Sequence, residues 1–171
     1  MLVAEDLTVR LGRRLILQGL GFSAAAGTLT AIAAPNGSGK TTLLRALTGD
    51  LAYRGRVRLN GREVAGTAPP ALAEIRAVVA QTTRVAFRFT VLEVVCLGAL
   101  AARGRDETAR QALAAVGLAG YEARVLQDLS GGEQQRVHLA RALAQVREPA
   151  GEGGPRWLFL DEPVASLDIA H

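Results

Sequence analysis

Apolar and polar positions alternate along the first part of the chain in the pattern of strands. Leu2 to Arg10 and Arg14 to Ser23 flank a turn at Gly12, and this arrangement predicts two neighbouring strands. The more apolar segment Thr28 to Ala33 predicts a third strand. Farther on, Arg56 to Leu59 alternates again before Asn60-Gly61, a dipeptide that suits a tight hairpin and predicts a small antiparallel sheet.

Helical spacing follows the third predicted strand. Lys40 to Thr48 predicts a helix with one buried face, and Gly49 is placed to end it. Asp106 to Val116 predicts a second helix, with Asp106 as its N-cap. A third helix is predicted after Ser130, with four apolar residues on one face: Val137, Ala140, Leu143 and Ala144.

Two later apolar segments predict further strands, and together the elements predict an α/β fold. Ile75 to Ala80 predicts a short strand that ends at Gln81, and Trp157 to Leu160 predicts a fully buried strand. We expect one domain over residues 1–171, with a helical insertion over residues 85–129.

Composition indicates a globular chain and limits the classes of partner. Of 171 residues, 49% are hydrophobic and 21% charged, unlike disordered chains. The formal charge of +4 is spread along the chain, which suits anionic ligands and gives no indication of nucleic acid. Cys96 lies in an apolar run and predicts a buried thiol. Because Val91 to Ala102 contains Glu93 and is too short to cross a bilayer, any membrane role would need a partner.

A glycine-rich loop lies between the third predicted strand and the first predicted helix. Backbone amides and the positive end of a helix stabilise phosphate oxygens, Lys40 can neutralise their charge, and the Thr41 hydroxyl can ligate Mg²⁺. The alternative is an ordinary turn with an exposed lysine. The predicted ATP-binding residues are Asn36, Gly37, Ser38, Gly39, Lys40, Thr41 and Thr42.

One position departs from the strict phosphate-loop pattern, which has glycine where Ala34 stands. If the backbone there needs a positive φ, alanine costs about 1 kcal/mol; if it does not, the change is nearly silent. The sequence leaves both alternatives open.

Two carboxylates follow the predicted strand that ends at Leu160. Asp161 can hold Mg²⁺ through water, and Glu162 can act as the general base that accepts a proton from the attacking water. The alternative is a pair of surface acids in a turn after a strand.

A second glycine-containing helix start consists of Ser130, Gly131, Gly132 and Glu133. A hydroxyl and bare amides at this position could contact a phosphate. Taken alone, the same residues could simply cap a helix.

Together these motifs resemble the ABC ATPase family in order and spacing. The segments that carry the resemblance are Gly37 to Thr41, Gln81, Leu129 to Arg136, Leu160 to Pro163 and Ser166 to Asp168. The resemblance implies a homodimer in which each ATP lies between the phosphate loop of one copy and Ser130 to Gly132 of the other. It also implies that Gln81 senses Mg²⁺ and the attacking water, and that Asp168 bridges the two copies.

Three further segments resemble the ATP-binding subunits of bacterial haemin importers: Arg76 to Gln81, Ala86 to Val91 and Asp161 to His171. This subtype implies a separate transmembrane permease, a periplasmic or surface substrate-binding protein, and a position on the cytoplasmic face of the membrane. Siderophore and cobalamin importers remain alternatives, and the cargo is argued by analogy alone.

The chain departs from the family pattern at two further places. Leu11 stands where the family has an aromatic residue that stacks on adenine, so an apolar contact remains without stacking. The family's switch histidine lies well beyond the Asp168 loop, and His171 comes too soon to be that residue. We therefore expect the C-terminal strands of the fold to be missing and this chain alone to be poorly stable and nearly inactive.

The alternatives belong to two other classes. A chromosome-maintenance or DNA-repair ATPase would carry a long coiled-coil or zinc-bearing insertion between the phosphate loop and Ser130, and the sequence has none there. A crippled, non-catalytic fragment is the other alternative, favoured by Ala34 and Leu11.

Overall fold

The computed structural model describes residues 1–81, 87–99, 104–147 and 154–162. The strands within them are β1 (Leu2–Leu11), β2 (Arg14–Ala24), β3 (Arg54–Leu59), β4 (Arg62–Glu63), β5 (Arg76–Val79) and β6 (Trp157–Leu160). The helices are α1 (Lys40–Leu47), α2 (Pro69–Ala73), α3 (Val91–Cys96), α4 (Arg105–Ala115) and α5 (Gly131–Arg147), and a short 3₁₀ helix covers Leu126–Asp128.

The chain divides into two compact units. The first unit comprises Met1–Arg76 and Ala150–Trp157, and the second comprises Ala77–Pro149 and Leu158–His171. The helical insertion over residues 85–129 stays a prediction, and its described part contains α3 and α4.

An antiparallel sheet with the order β2-β1-β3-β4 forms the framework of the first unit. Alternate residues of β1 point into its core, among them the fully buried Leu7 and Val9. Helix α1 contributes Leu43 and Leu47 to the buried residues. The turn between β3 and β4 is Asn60-Gly61 with positive φ at both residues, as the sequence predicts.

Strands β5 and β6 pair with each other. The N–H of Trp157 donates to the carbonyl of Ile75 at 2.9 Å, and that of Asp161 donates to the carbonyl of Val79 at 3.0 Å. From the first bond to the second, the residue number increases on both strands, so the strands are parallel. Parallel pairing directs the carboxyl ends of both strands, with Gln81 and Asp161 just beyond them, to the same edge.

The core of the second unit lies among α3, α4 and α5. Its largest fully buried side chains include Val91, Val95, Leu113 and Leu118. The turn that follows α3 approaches α5 at very short range, since a Cβ on Gly98 would lie 2.0 Å from the carbonyl oxygen of Arg141. Only glycine fits such a backbone contact.

The predicted strand Thr28 to Ala33 is wrong. In the described part of the chain this segment is irregular and pairs with no strand, and Leu29 is 95% exposed. A run of apolar residues becomes a strand only where another strand accepts its backbone hydrogen bonds.

Several finer expectations also need correction. Gly104 in the left-handed conformation, and not Asp106, is the N-cap of α4; Asp106 lies in the first helical turn. Strand β6 is only partly buried, with Phe159 as its buried residue. Cys96 is half-buried, and its thiol lies 3.5 Å from Asp106 Oδ1. Burial and this carboxylate raise the pKa of the Cys96 thiol.

Candidate functional site

The predicted phosphate loop lies in the first unit and closes around the side chain of Lys40. The Lys40 ammonium donates hydrogen bonds to the carbonyls of Ala34 at 2.8 Å and Pro35 at 3.0 Å. The amide of Ser38 also donates to the Pro35 carbonyl, at 3.3 Å. The lysine charge is therefore held over the loop, where the sequence predicts phosphate.

Two glycines allow the loop to turn, and Gly39 also lets the loop pack closely against β2. Gly37 has a φ of 78° and Gly39 a φ of 102°. A Cβ on Gly39 would lie 3.1 Å from Ile16 Cγ2 and 3.2 Å from Leu17 Cδ2. A side chain at Gly39 would thus be strained by backbone conformation and by packing.

The start of α1 is open. Its N-cap is Gly39, no side chain caps it, and no acidic residue stands in its first turn. The first amides of a helix have no acceptor within the helix and carry its positive end. Among the loop residues Asn36, Ser38 and Thr41 are exposed, and Thr42 is half-buried. This arrangement can bind an anion.

The structure answers the question raised by Ala34. The non-glycine residues with positive φ in the described ranges are Asp6, Asn60 and Glu162, so Ala34 does not have a positive φ. Its carbonyl contacts Lys40 as described above. Alanine at this position therefore adds no left-handed strain to the loop. Leu11, the position expected to contact adenine, ends β1 and is 45% exposed.

Gln81 and Glu162 come together in the second unit. Gln81 follows β5, Glu162 follows β6, and the Gln81 Nε2 donates to Glu162 Oε2 at 2.7 Å. Glu162 has a φ of 46°, in the left-handed region that non-glycine residues seldom adopt. The neighbouring carboxylate, Asp161, is 8% exposed. The sequence predicted that these three residues act at one site, and the parallel strands bring them to one edge.

The start of α5 is closed by its own side chains. Ser130 Oγ donates to Glu133 Oε2 at 2.7 Å, the Ser130 amide donates to the same oxygen at 2.8 Å, and the Glu133 amide donates to Ser130 Oγ at 3.3 Å. This is a capping box, so the helix-cap alternative describes these side chains. Hydrogen bonds from Ser130 and Tyr121 lower the pKa of Glu133. Gly131 is exposed and Gly132 half-buried.

One side chain near the site received no role from the sequence. The Gln135 Nε2 donates to the backbone carbonyl of Glu162 at 3.4 Å. The sequence does contain a signal for this residue. Gln135 stands about one helical turn before the apolar Leu139, so the two residues lie on the same face of the helix.

His138, expected at the surface or at the edge of the core, is 6% exposed. Neither ring nitrogen has a hydrogen-bond partner among the described residues. Burial and the nearby Arg141 charge lower the pKa of His138, so the imidazole is neutral at pH 7.

Some expected features fall outside the described residues. Asp168, the predicted bridge between copies, lies outside, as do Pro163, Ser166 and His171. Within the described ranges, no group of three His, Cys, Asp or Glu side chains lies close enough together to hold a metal ion. No helix in the same ranges has the length and apolarity needed to cross a bilayer.

The open phosphate loop, the paired acids after β6 and the serine-glycine helix start are the elements of an ATP-binding cassette. The sequence model of the ABC transporter family matches residues 17–165, and the chain belongs to this family.

Curated relatives carry a more specific name. The chain is 57% identical over 173 residues to the "Hemin import ATP-binding protein HmuV" of Jannaschia sp. (strain CCS1), covering 100% of this chain and 64% of that protein. It is 58% identical to the protein of the same name from Roseobacter denitrificans, covering 98% of this chain and 65% of that protein. The chain thus spans about two thirds of the length of these relatives.

A solved structure supports the fold. The chain is similar to the "Dimeric Structure of MJ0796, a Bacterial ABC Transporter Cassette", with a TM-score of 0.82 and 26% identity, over 98% of this chain and 76% of that one. The predicted fold class, the α/β core of an ABC ATPase, is confirmed.

Proposed function

We propose that the protein is the ATP-binding and ATP-hydrolysing subunit of an ABC importer, and that its cargo is haemin. The observation that carries the nucleotide part is the open start of α1 beneath the Lys40 ammonium. An uncapped helix start with a fixed positive charge beside it is suited to the phosphates of a nucleotide. The cargo rests on relatives at 57% and 58% identity whose printed name is hemin import ATP-binding protein.

ATP would be held by the loop residues and the first turn of α1. Lys40 would exchange its bonds to the Ala34 and Pro35 carbonyls for phosphate oxygens. This exchange conserves the number of hydrogen bonds and gains the attraction of opposite charges. The loop residues of this proposal are Asn36, Gly37, Ser38, Gly39, Lys40, Thr41 and Thr42.

Mg²⁺, a cation that prefers oxygen ligands, fits the residues present. In the first unit the candidate ligand is the Thr41 hydroxyl; in the second unit the candidates are the Gln81 amide oxygen and, through water, the Asp161 carboxylate. When bound, the ion neutralises charge on the phosphate oxygens. The Gln81 amide nitrogen is engaged by Glu162, so its oxygen is the atom that can face a cation.

Glu162 is the proposed general base. Its carboxylate would accept the proton of the attacking water, and Gln81, which donates to that carboxylate at 2.7 Å, would orient it. A positioned base of this kind typically contributes a factor of about 10² to 10⁴ to a rate.

The proposed assembly pairs two copies of the chain. In that pair Ser130, Gly131, Gly132 and Glu133 of one copy complete the ATP site of the other, and Asp168 bridges the copies. A related cassette has been described as dimeric. A separate permease and a periplasmic or surface substrate-binding protein would complete the importer at the cytoplasmic face of the membrane.

Glu162→Gln tests the catalytic proposal, because the amide keeps the shape of the side chain and cannot accept the proton. We expect ATP binding to persist and phosphate release to fall at least about a hundredfold. Binding is measured with a fluorescent ATP analogue and turnover by phosphate release. Glu74→Gln, which changes an exposed carboxylate outside the site, is the matched control. Hydrolysis at the parent rate in Glu162→Gln would remove Glu162 as the base.

Growth on haemin tests the cargo. Cells that lack the subunit should fail to grow with haemin as their iron source and grow normally on iron salts. The gene should restore growth, and its Lys40→Ala version should not. Normal growth on haemin, in cells with no second haemin importer, would exclude this cargo while leaving the ATPase proposal intact.

A further inference from the structure

Helix α5 packs one face on β5 and β6 in the second unit. Its half-buried Leu139 and Val146 and its buried Ala142 form a cluster with four residues of the strands: Ala77, Val79, Leu158 and Leu160. The spacing of three and four residues places these helix positions on one stripe. Gln135 stands four residues before Leu139, at the end of that stripe that lies nearest the start of the helix.

Gln135 is a polar residue on this otherwise apolar face. It is half-buried, and its Nε2 donates to the backbone carbonyl of Glu162 at 3.4 Å. Arg141, also on α5, makes the same kind of contact with the carbonyl of Val78 at 3.1 Å. Two polar side chains of α5 thus hold backbone near the proposed site, one on each strand segment.

The carbonyl that Gln135 contacts belongs to a residue in an unfavourable conformation. Glu162 has a φ of 46°, and such a conformation persists in a non-glycine residue only where surrounding contacts fix it. Two contacts do so here: Gln81 binds the carboxylate, and Gln135 binds the main chain. The direction of the Glu162 side chain depends on its backbone, because φ determines where the Cα–Cβ bond points.

We propose that Gln135 is a positioning residue: its amide fixes the backbone of Glu162 so that the carboxylate stays on the Gln81 side of the site. This inference rests on the proposed role of Glu162 as the base. In this role Gln135 would act through Glu162. A displacement of the base by about 1 Å is enough to reduce a rate by up to about a hundredfold.

Gln135→Met tests the role, since methionine keeps the length of the side chain and removes the donor. We expect kcat for ATP hydrolysis to fall at least about tenfold, with KM and ATP affinity within about twofold of the parent. Gln134→Met is the matched control, because Gln134 is the neighbouring glutamine and donates to the Leu129 carbonyl at 2.9 Å instead. A purely structural role would change the melting temperature and ATP affinity along with kcat.

A double variant tests more sharply whether Gln135 acts through Glu162. In a Glu162→Gln background, Gln135→Met should lower kcat by less than about twofold, because the base it positions is already lost. If Gln135→Met proves insoluble, Gln135→Glu replaces it; this polar variant also lacks a donor at neutral pH and should lose activity equally.

The outcomes separate this inference from the proposed function. Parent kcat in Gln135→Met or Gln135→Glu, or an equal loss in Gln134→Met, overturns the positioning role. A full additional loss in the Glu162→Gln background overturns it too. Parent hydrolysis in Glu162→Gln alone overturns the role of Glu162 as the base, whatever the Gln135 variants show.

Discussion

Helices α1 and α5 both begin with small residues that the sequence marks as anion sites, yet their starts are built differently. The start of α1 has a glycine N-cap and no acidic residue in its first turn. The start of α5 has a serine and a glutamate that bond each other and the backbone amides. The first amides of α1 are therefore available to an external anion, whereas the start of α5 is already capped by the carboxylate of Glu133.

This difference shows how one local motif serves two needs. An uncapped helix start leaves donors unsatisfied, which costs stability and preserves affinity for a ligand. A capping box satisfies two of these donors and stabilises the helix without any ligand. If Ser130 is to contact ATP in a paired copy, its hydroxyl must exchange one bond to Glu133 for one to the nucleotide.

The largest expected effect is at the start of α1. Lys40→Ala should weaken ATP binding at least tenfold, or about 1.4 kcal/mol, because it removes the fixed charge beside the phosphates. Equilibrium titration with a fluorescent ATP analogue measures the change. Arg45→Ala, which removes an exposed charge from the last turn of the same helix, is the control and should bind normally. Unchanged binding in Lys40→Ala would show that the open start of α1 is not the phosphate site.

A smaller effect is expected at the start of α5, and it concerns stability and not ATP affinity. Ser130→Ala should lower the free energy of unfolding by about 1 kcal/mol without nucleotide, because it removes the side-chain cap. Urea denaturation followed by circular dichroism measures it.

Ser38→Ala makes the matched change before α1, where no side chain caps the helix. It should change stability by less than about 0.5 kcal/mol. Equal losses in Ser38→Ala and Ser130→Ala would contradict the distinction between an open and a closed helix start.

The smallest effect is a pH dependence confined to α5. The Ser130 hydroxyl, foremost, lowers the pKa of Glu133 in the folded state, so its stabilisation is present above the ordinary glutamate pKa of about 4.5 and lost as the pH falls. Glu133→Gln should therefore be less stable than the parent at pH 7; the difference should be smaller at about pH 4 and disappear only below the lowered pKa of Glu133. Urea midpoints at both pH values, with Glu74→Gln alongside, measure this. A constant difference between parent and Glu133→Gln across that range would count against the capping carboxylate.

The sequence predicted those parts of the fold that depend on local chemistry. Gly49 does end α1, with a φ of 80°, and Asn60-Gly61 does form the hairpin turn. The motifs also placed Gln81 and Glu162 at the ends of strands, and the structure shows that these two strands are neighbours. One more local signal was present and was overlooked: Thr90 and Glu93 form a capping box at α3, recognisable from their spacing.

Other features depend on partners that a single segment does not encode. The apolar run Thr28 to Ala33 has strand composition, but only a neighbouring strand makes it one. The burial of His138 depends on the packing around α5, and the left-handed φ of Glu162 depends on contacts from β5 and α5. The contact of Gln135 with a carbonyl 27 positions away is of the same kind.

The close approach of the turn after α3 to helix α5 limits how this chain can vary in evolution. At Gly98 even a single methyl group would overlap the Arg141 carbonyl at 2.0 Å, so any other residue would force this turn away from α5. A randomised library at codon 98, selected for folding, should therefore return almost nothing but glycine. Substitutions at neighbouring positions could not rescue such variants, because the obstacle is the Arg141 main chain and no smaller side chain would remove it.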